Sequence, residues 1–186
     1  YDEQFFRDQL AAKFVGRNEI RSYLALWGDP SKVDLDKEFF TKSTDFWDKR
    51  GMGLPRPLTW NHAQDKDIFK GAQTIGEIAE FGDDEVGRFY HAVLDRSNKY
   101  RDAVSALIGQ KRLGTSSDSA PQYVERERQK NGSVWLKQWP LFAGALTDVP
   151  CEPRMLDIGS PYWKSIGVDA KWMEHRIAEA GAGSPR

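Results

Sequence analysis

Ser116, Ser117 and Ser119 crowd into the stretch Leu113–Pro121, between Gly114 and Pro121. The plain reading is a polar loop, because Ser, Gly, Asp and Pro are the usual turn formers, and composition alone favours it. The sharper reading is a nucleophile. A serine hydroxyl is weak until a neighbouring base takes its proton, so that reading needs a partner. The chain offers three histidines, His62, His91 and His175. His62 closes the short apolar run Leu58-Thr59-Trp60-Asn61, and a histidine at a strand end can reach into a cleft; a simple hydrogen bond at a loop would also explain it. His91 alternates with apolar neighbours and reads as a satisfied core or barrel-face histidine rather than a catalytic one. The histidines lack metal-ligand spacing, and no glycine-rich phosphate loop of the Walker or dinucleotide kind is present. No metal or cofactor is expected.

Composition bounds the class. With 186 residues, one domain with tails is expected. Aromatic residues make up 12% of the chain, which argues for a packed core despite a modest apolar content of 39%. A net charge of −1 gives no electrostatic reason to expect nucleic acid or an anionic membrane as partner. There is no apolar run of about 18 residues for a transmembrane helix, and Tyr1–Leu10 is too polar for a signal peptide. Cys151 is the single cysteine, so an intrachain disulfide is ruled out.

The elements that must position these residues follow from periodicity. Residues 1–18 read as an N-terminal arm or short helix. Ile20–Trp27 alternates with apolar residues on both sides, as in a covered strand. Lys32–Lys49, rich in charge and aromatics, reads as an irregular excursion with a short helix. Further strands are expected at Leu58–His62, Ala72–Phe81 and Glu85–Asp95, the last with Phe89, His91 and Val93 on one side. Tyr100, Ala103, Val104, Leu107 and Ile108 form one apolar stripe, giving a helix over Ser97–Arg112 with Ser97 as its cap and Gly114 just past its end. The serine stretch therefore leaves a helix C-terminus. Strands at Gln122–Gln129 and Ser133–Trp139 flank Asn131-Gly132, a type I′ hairpin signal, and Leu141–Leu146 is a compact apolar strand. Trp163, Ile166, Ala170, Met173, Ile177 and Ala180 form a narrow seam on a C-terminal helix, suited to packing on its own domain or on a second chain. The sum is an α+β, strand-rich domain of about seven strands, a mixed β-barrel flanked by helices. It occupies residues 19–155, with a helical extension over 156–186.

Several pieces together resemble the prohead (capsid maturation) protease family of tailed phages. Tyr23-Leu24-Ala25-Leu26-Trp27-Gly28, then Asp34-Leu35-Asp36-Lys37-Glu38-Phe39-Phe40 and Thr44-Asp45-Phe46, look like its opening strand and acidic, aromatic excursion. Pro57-Leu58-Thr59-Trp60-Asn61-His62 is similar to the strand that ends in the catalytic histidine. Glu85-Val86-Gly87-Arg88-Phe89, the helix, and Leu113-Gly114-Thr115-Ser116-Ser117-Asp118-Ser119-Ala120 follow in the family's order. Leu146-Thr147-Asp148-Val149-Pro150-Cys151-Glu152-Pro153 resembles its closing strand and exit. The resemblance spans roughly residues 20 to 155.

The resemblance implies a barrel related to herpesvirus assemblin and a serine endopeptidase (a hydrolase) of phage virion assembly. Such an enzyme cleaves scaffold and capsid-protein segments, and at times itself, inside the prohead in the host cytoplasm. It implies Ser116 as nucleophile, His62 as base, and backbone amides at Ser117 and Asp118 as oxyanion-hole donors. Capsid and scaffold proteins are the implied partners, and the C-terminal seam suits a homo-oligomer. Three features depart from the pattern. Asp118 stands where many members carry glycine. Ala143 and Ala145 stand where an acidic-x-serine pattern is common. The third catalytic member is thus left among His91, Glu125 and Asp148, and Ser117 rivals Ser116, since a one-residue slip on a strand reverses facing. The alternative is a proteolytically inactive member of the same fold, acting in capsid assembly or linked to the scaffold.

Overall fold

The structure, a computed structural model, describes residues 10–50, 53–63, 74–98, 101–148 and 150–155. Among the described residues ten strands form two sheets. The larger has seven strands: β1 (Lys13–Phe14), β2 (Glu19–Leu26), β4 (Arg56–Trp60), β5 (Thr74–Asp83), β6 (Gly87–Leu94), β7 (Gly114–Ser119) and β10 (Leu141–Thr147). Their spatial order is β1-β2-β6-β5-β4-β10-β7. The smaller sheet holds β3 (Glu38–Phe39), β8 (Glu125–Arg128) and β9 (Val134–Gln138), in the order β3-β9-β8. The fold is thus α+β and strand-rich, as expected. The large sheet, however, curls into a half-barrel rather than a closed barrel.

Alternation decides which side of each strand is buried. Along β6, Tyr90, Ala92 and Leu94 are buried while Phe89, His91 and Val93 are not, as the period-2 pattern requires. Ile20, Leu58, Ile78, Tyr90 and Leu146 join Val104 and Ile108 in one core. The last two come from the single described α-helix, α1 (Arg101–Gly109). The curl brings β2 against β7, and the Ala12 N–H donates to the Leu113 carbonyl at 2.9 Å just ahead of β7.

Several sequence expectations are corrected. The helix is shorter than Ser97–Arg112: Ser97 does not cap it but closes a turn on Asp95, its N–H and hydroxyl both donating to Oδ1 at 2.8 Å. Gly114 is not a helix C-cap; Lys111 takes the left-handed conformation (φ 55°) and Gly114 opens β7. The serine stretch is therefore a strand, not a loop, because β10 offers it a full antiparallel ladder that outweighs the turn preference of its residues. Residues 32–49 form turns, bridges and β3, with no helix. Pro121–Tyr123 is a 3₁₀ turn, so β8 starts only at Glu125. At the β8–β9 hairpin only Gly132 has positive φ (89°), so the turn is not type I′, which needs positive φ at both central residues. The terminal arm up to residue 9 and the C-terminal helix with its seam lie outside the described residues. No described helix is long and apolar enough to cross a membrane.

Candidate active site

Three neighbouring strands build the site. β10 is the middle one, parallel to β4 and antiparallel to β7. Opposed residues point to the same face of a sheet. Asp118 lies opposite Ala143, Ser116 opposite Ala145 and Gly114 opposite Thr147. On β4, Thr59 lies opposite Ala145. Ser116, Asp118, Ala143, Ala145 and Thr147 therefore share one face. Ser117 lies opposite Gly144, on the other face. A Cβ on Gly144 would come within 2.8 Å of Leu24 Cδ2 and 3.0 Å of Ile78 Cδ1, so that face is the packed core. Thr115 has the same parity as Ser117, and its Oγ1 pairs with the buried Tyr90 hydroxyl at 2.8 Å. Alternation thus separates the rival serines: Ser117 goes with the core side, Ser116 with the side that carries Asp118.

His62 reaches that same side by an unusual backbone. The expected strand Leu58–His62 ends at Trp60, and Asn61 and His62 both adopt left-handed conformations, with φ of 45° and 58°. Such a conformation costs a non-glycine residue roughly 1–2 kcal/mol, and paired residues of this kind cluster at functional sites. The turn has a geometric purpose. Trp60 is level with Leu146, while Asp118 is level with Ala143, roughly 10 Å back along β10 at the rise of a strand. The chain must fold back over the sheet face for a His62 nitrogen to meet Asp118, and it does: His62 Nδ1 is hydrogen-bonded to Asp118 Oδ1. Ala143 and Ala145 leave the intervening face low. Both partners are partly shielded, their side chains 29% and 32% exposed. With Nδ1 engaged by a carboxylate, Nε2 is the nitrogen left to exchange a proton with another group.

His62, Thr115, Ser116 and Ser117 line one cavity of about 270 Å³. Leu24, Leu26, Phe39, Leu136 and Met155 give it buried apolar walls. Phe40 and Trp139, packed edge to face with ring centroids 5.6 Å apart, add an aromatic side from the smaller sheet's neighbourhood. Segment 150–155 crosses the cavity beside Gly114, whose missing side chain leaves room for Pro150 and Met155. The segment is fastened by the Leu35 N–H donating to the Cys151 carbonyl at 3.1 Å and by Arg154, which forks onto Glu152 at 2.8 and 2.6 Å and donates to the Trp27 carbonyl at 3.2 Å.

Electrostatics single out one wall. Asp34 Oδ1 accepts the backbone N–H groups of Asp36 and Glu38, both at 2.9 Å. Burial pushes its carboxyl up to about 7, opposed by the Glu38 amide and reinforced by the charges of Glu152, Glu38 and Asp36. Below its ordinary value of 3.8 the group is protonated folded or unfolded; above that, the unfolded chain loses the proton first. Asp34 thus takes away stability progressively as pH rises from about 4 to about 7. Asp34→Asn keeps the oxygen acceptor and removes the charge. It is expected to match the parent near pH 4 and to exceed its urea midpoint above pH 7; parallel midpoint curves across that range would refute this account. Cys151 shares the wall, and its thiol donates to Asp36 Oδ2 at 3.2 Å. Burial first, then the charges of Asp34 and Asp36, push its pKa up, which makes it a poor nucleophile at neutral pH.

The other site expectations fare differently. His91 pairs with Glu80 at 3.3 Å on the outer side of β6, its side chain 39% exposed, and is not a core histidine. Glu125 is exposed on β8 in the smaller sheet. Asp148 follows the end of β10. It is Asp118, rather than any of these three, that meets His62. Asp118 and Ser117, the expected oxyanion donors, are consecutive on β7, which among the described strands ends the sheet and pairs with β10. Amides alternate along such a strand, so one of the two points away from the ladder. The signal that could have found Asp118 was already in the Ser-x-Asp spacing, which puts 116 and 118 on one side of any strand. Among the described residues no group of three or more His, Cys, Asp or Glu side chains could hold a metal ion. No family model matches the chain, and neither a curated protein nor a solved structure does.

Proposed function

We propose that the chain is a serine endopeptidase of phage head maturation, cutting scaffold and capsid-protein segments within the prohead, with Ser116, His62 and Asp118 as its catalytic group. The observation that carries this reading is the His62–Asp118 bond, made on the strand face that also bears Ser116, with His62 and Ser116 lining one cavity. The phage setting rests on the sequence resemblance alone. The chemistry follows from the roles. Ser116 Oγ attacks the scissile carbonyl carbon while His62 Nε2 takes the hydroxyl proton. Asp118 holds the imidazole in the tautomer with hydrogen on Nδ1 and stabilises the imidazolium. The imidazolium then gives its proton to the leaving amine as the C–N bond breaks. Water, deprotonated by the same nitrogen, cleaves the acyl ester and regenerates Ser116. In this reading the outward amide of Ser117 or Asp118 donates to the oxyanion.

A fluorophosphonate probe tests the assignment without knowing the substrate. One equivalent is expected on Ser116, located by peptide mapping, with labelling lost in Ser116→Ala and in His62→Ala. Labelling of Ser117 instead would move the nucleophile to the core-facing serine. No labelling of the folded chain would favour the inactive assembly protein.

A further inference from the structure

Asn61 carries the first of two consecutive left-handed residues, and something must hold that turn against its intrinsic preference. Thr147 is the candidate. Its hydroxyl donates to Asn61 Oδ1 at 3.1 Å, it is 1% exposed, and it lies opposite Gly114 at the end of the β10–β7 ladder. The parallel pairing of β4 with β10 runs Gly144–Leu58, Ala145–Thr59, Leu146–Trp60. The next rung would pair Thr147 with Asn61, but there the backbone of β4 departs. A side-chain bond takes the place of the missing rung.

We propose that Asn61 and Thr147 are positioning residues for His62. Their bond fixes where β4 leaves the sheet and so aims the following imidazole back across Ala145 toward Asp118 and Ser116. The inference rests on the protease reading for its effect on rate, but not for its effect on the imidazole. Three strands meet through this one contact: the exit of β4, the end of β10, and through Gly114 the start of the strand that carries Ser116. Asparagine suits the role because it tolerates the left-handed region better than most residues and still offers a side-chain acceptor. A glycine would adopt the turn but could not be held by Thr147.

The test uses the full chain and two readouts. In Thr147→Val, of the same shape without the hydroxyl, kcat for a p-nitrophenyl ester is expected to fall about 10- to 100-fold with KM unchanged, the scale of a misplaced catalytic group. The NMR signal of the His62 Nδ1 proton, assigned in imidazole-labelled protein, is expected to broaden or vanish. Thr147→Ser should restore both. If Thr147→Val fails to fold, Asn61→Gly serves, since it relieves the backbone while removing the acceptor, and the same two losses are expected. Parent-like kcat and an unchanged His62 signal in either variant would overturn the proposal. Should the parent itself hydrolyse nothing, the protease reading fails, and the imidazole signal in Thr147→Val against Thr147→Ser still decides the anchor.

Discussion

Asp118→Asn is expected to lower kcat by about 10⁴-fold with the fold intact, on the scale seen when the acid of a catalytic triad becomes an amide. An asparagine has nearly the same shape and occupies a half-buried position on an end strand, so the β7–β10 ladder has no reason to change. What changes is the imidazole. A carboxylate can only accept, so it enforces hydrogen on Nδ1 and leaves Nε2 bare to take the Ser116 proton. An amide can present its NH₂ to Nδ1 and select the other tautomer, in which Nε2 already carries hydrogen and cannot act as base. His91→Gln, Glu125→Gln and Asp148→Asn serve as comparisons and are expected to keep parental turnover, because none of those groups meets His62. Turnover is measured with the ester substrate alongside thermal unfolding. A fully active Asp118→Asn, or a large loss in Asp148→Asn alone, would transfer the third role away from Asp118.

Ala145→Leu is expected to cost about 10²- to 10³-fold in kcat, more than its effect on stability explains. Ala145 is fully buried, opposite Ser116 on one side and Thr59 on the other. A leucine there stands up between the histidine and the serine strand, and a displacement of about 1 Å can already cost 10²-fold. Overpacking should also destabilise the protein by about 1–3 kcal/mol. Gly144→Ala separates the two effects. Its new methyl faces the opposite way, against Leu24 and Ile78, so a comparable stability loss is expected with turnover lowered only a few-fold. Denaturant midpoints and kcat measured on both variants give the contrast. Equal losses of kcat in the two would mean that general loosening of β10, not blockage of the imidazole's path, sets the activity.

Local chemistry made much of the scaffold legible. Alternation placed β2 and β6 to within a few residues, and the compact apolar run placed β10, since a half-buried strand must alternate and a two-sided one must be apolar throughout; β5 showed only through Ile75 and Ile78. Helix α1 was legible through the stripe that includes Val104 and Ile108. Its start was not, because Ser97 spends its hydroxyl on Asp95 instead. The turn-forming residues of the serine stretch locally favour a loop, and it is a strand because β10 supplies long-range pairing that no local preference can register.

The same division runs through the site. The residues in order already hold a serine, a histidine and, two places after the serine, an acid, and a Ser-x-Asp pair falls on one side of any strand. That β4, β10 and β7 lie side by side, that Ser117 faces Gly144 and the core, and that His62 turns back to Asp118 all depend on long-range pairing. The physical reason is range. Alternation is a property of neighbouring residues, whereas the meeting of positions 62 and 118 depends on a ladder closed with Leu141–Thr147, and on alanines there small enough to let an imidazole pass.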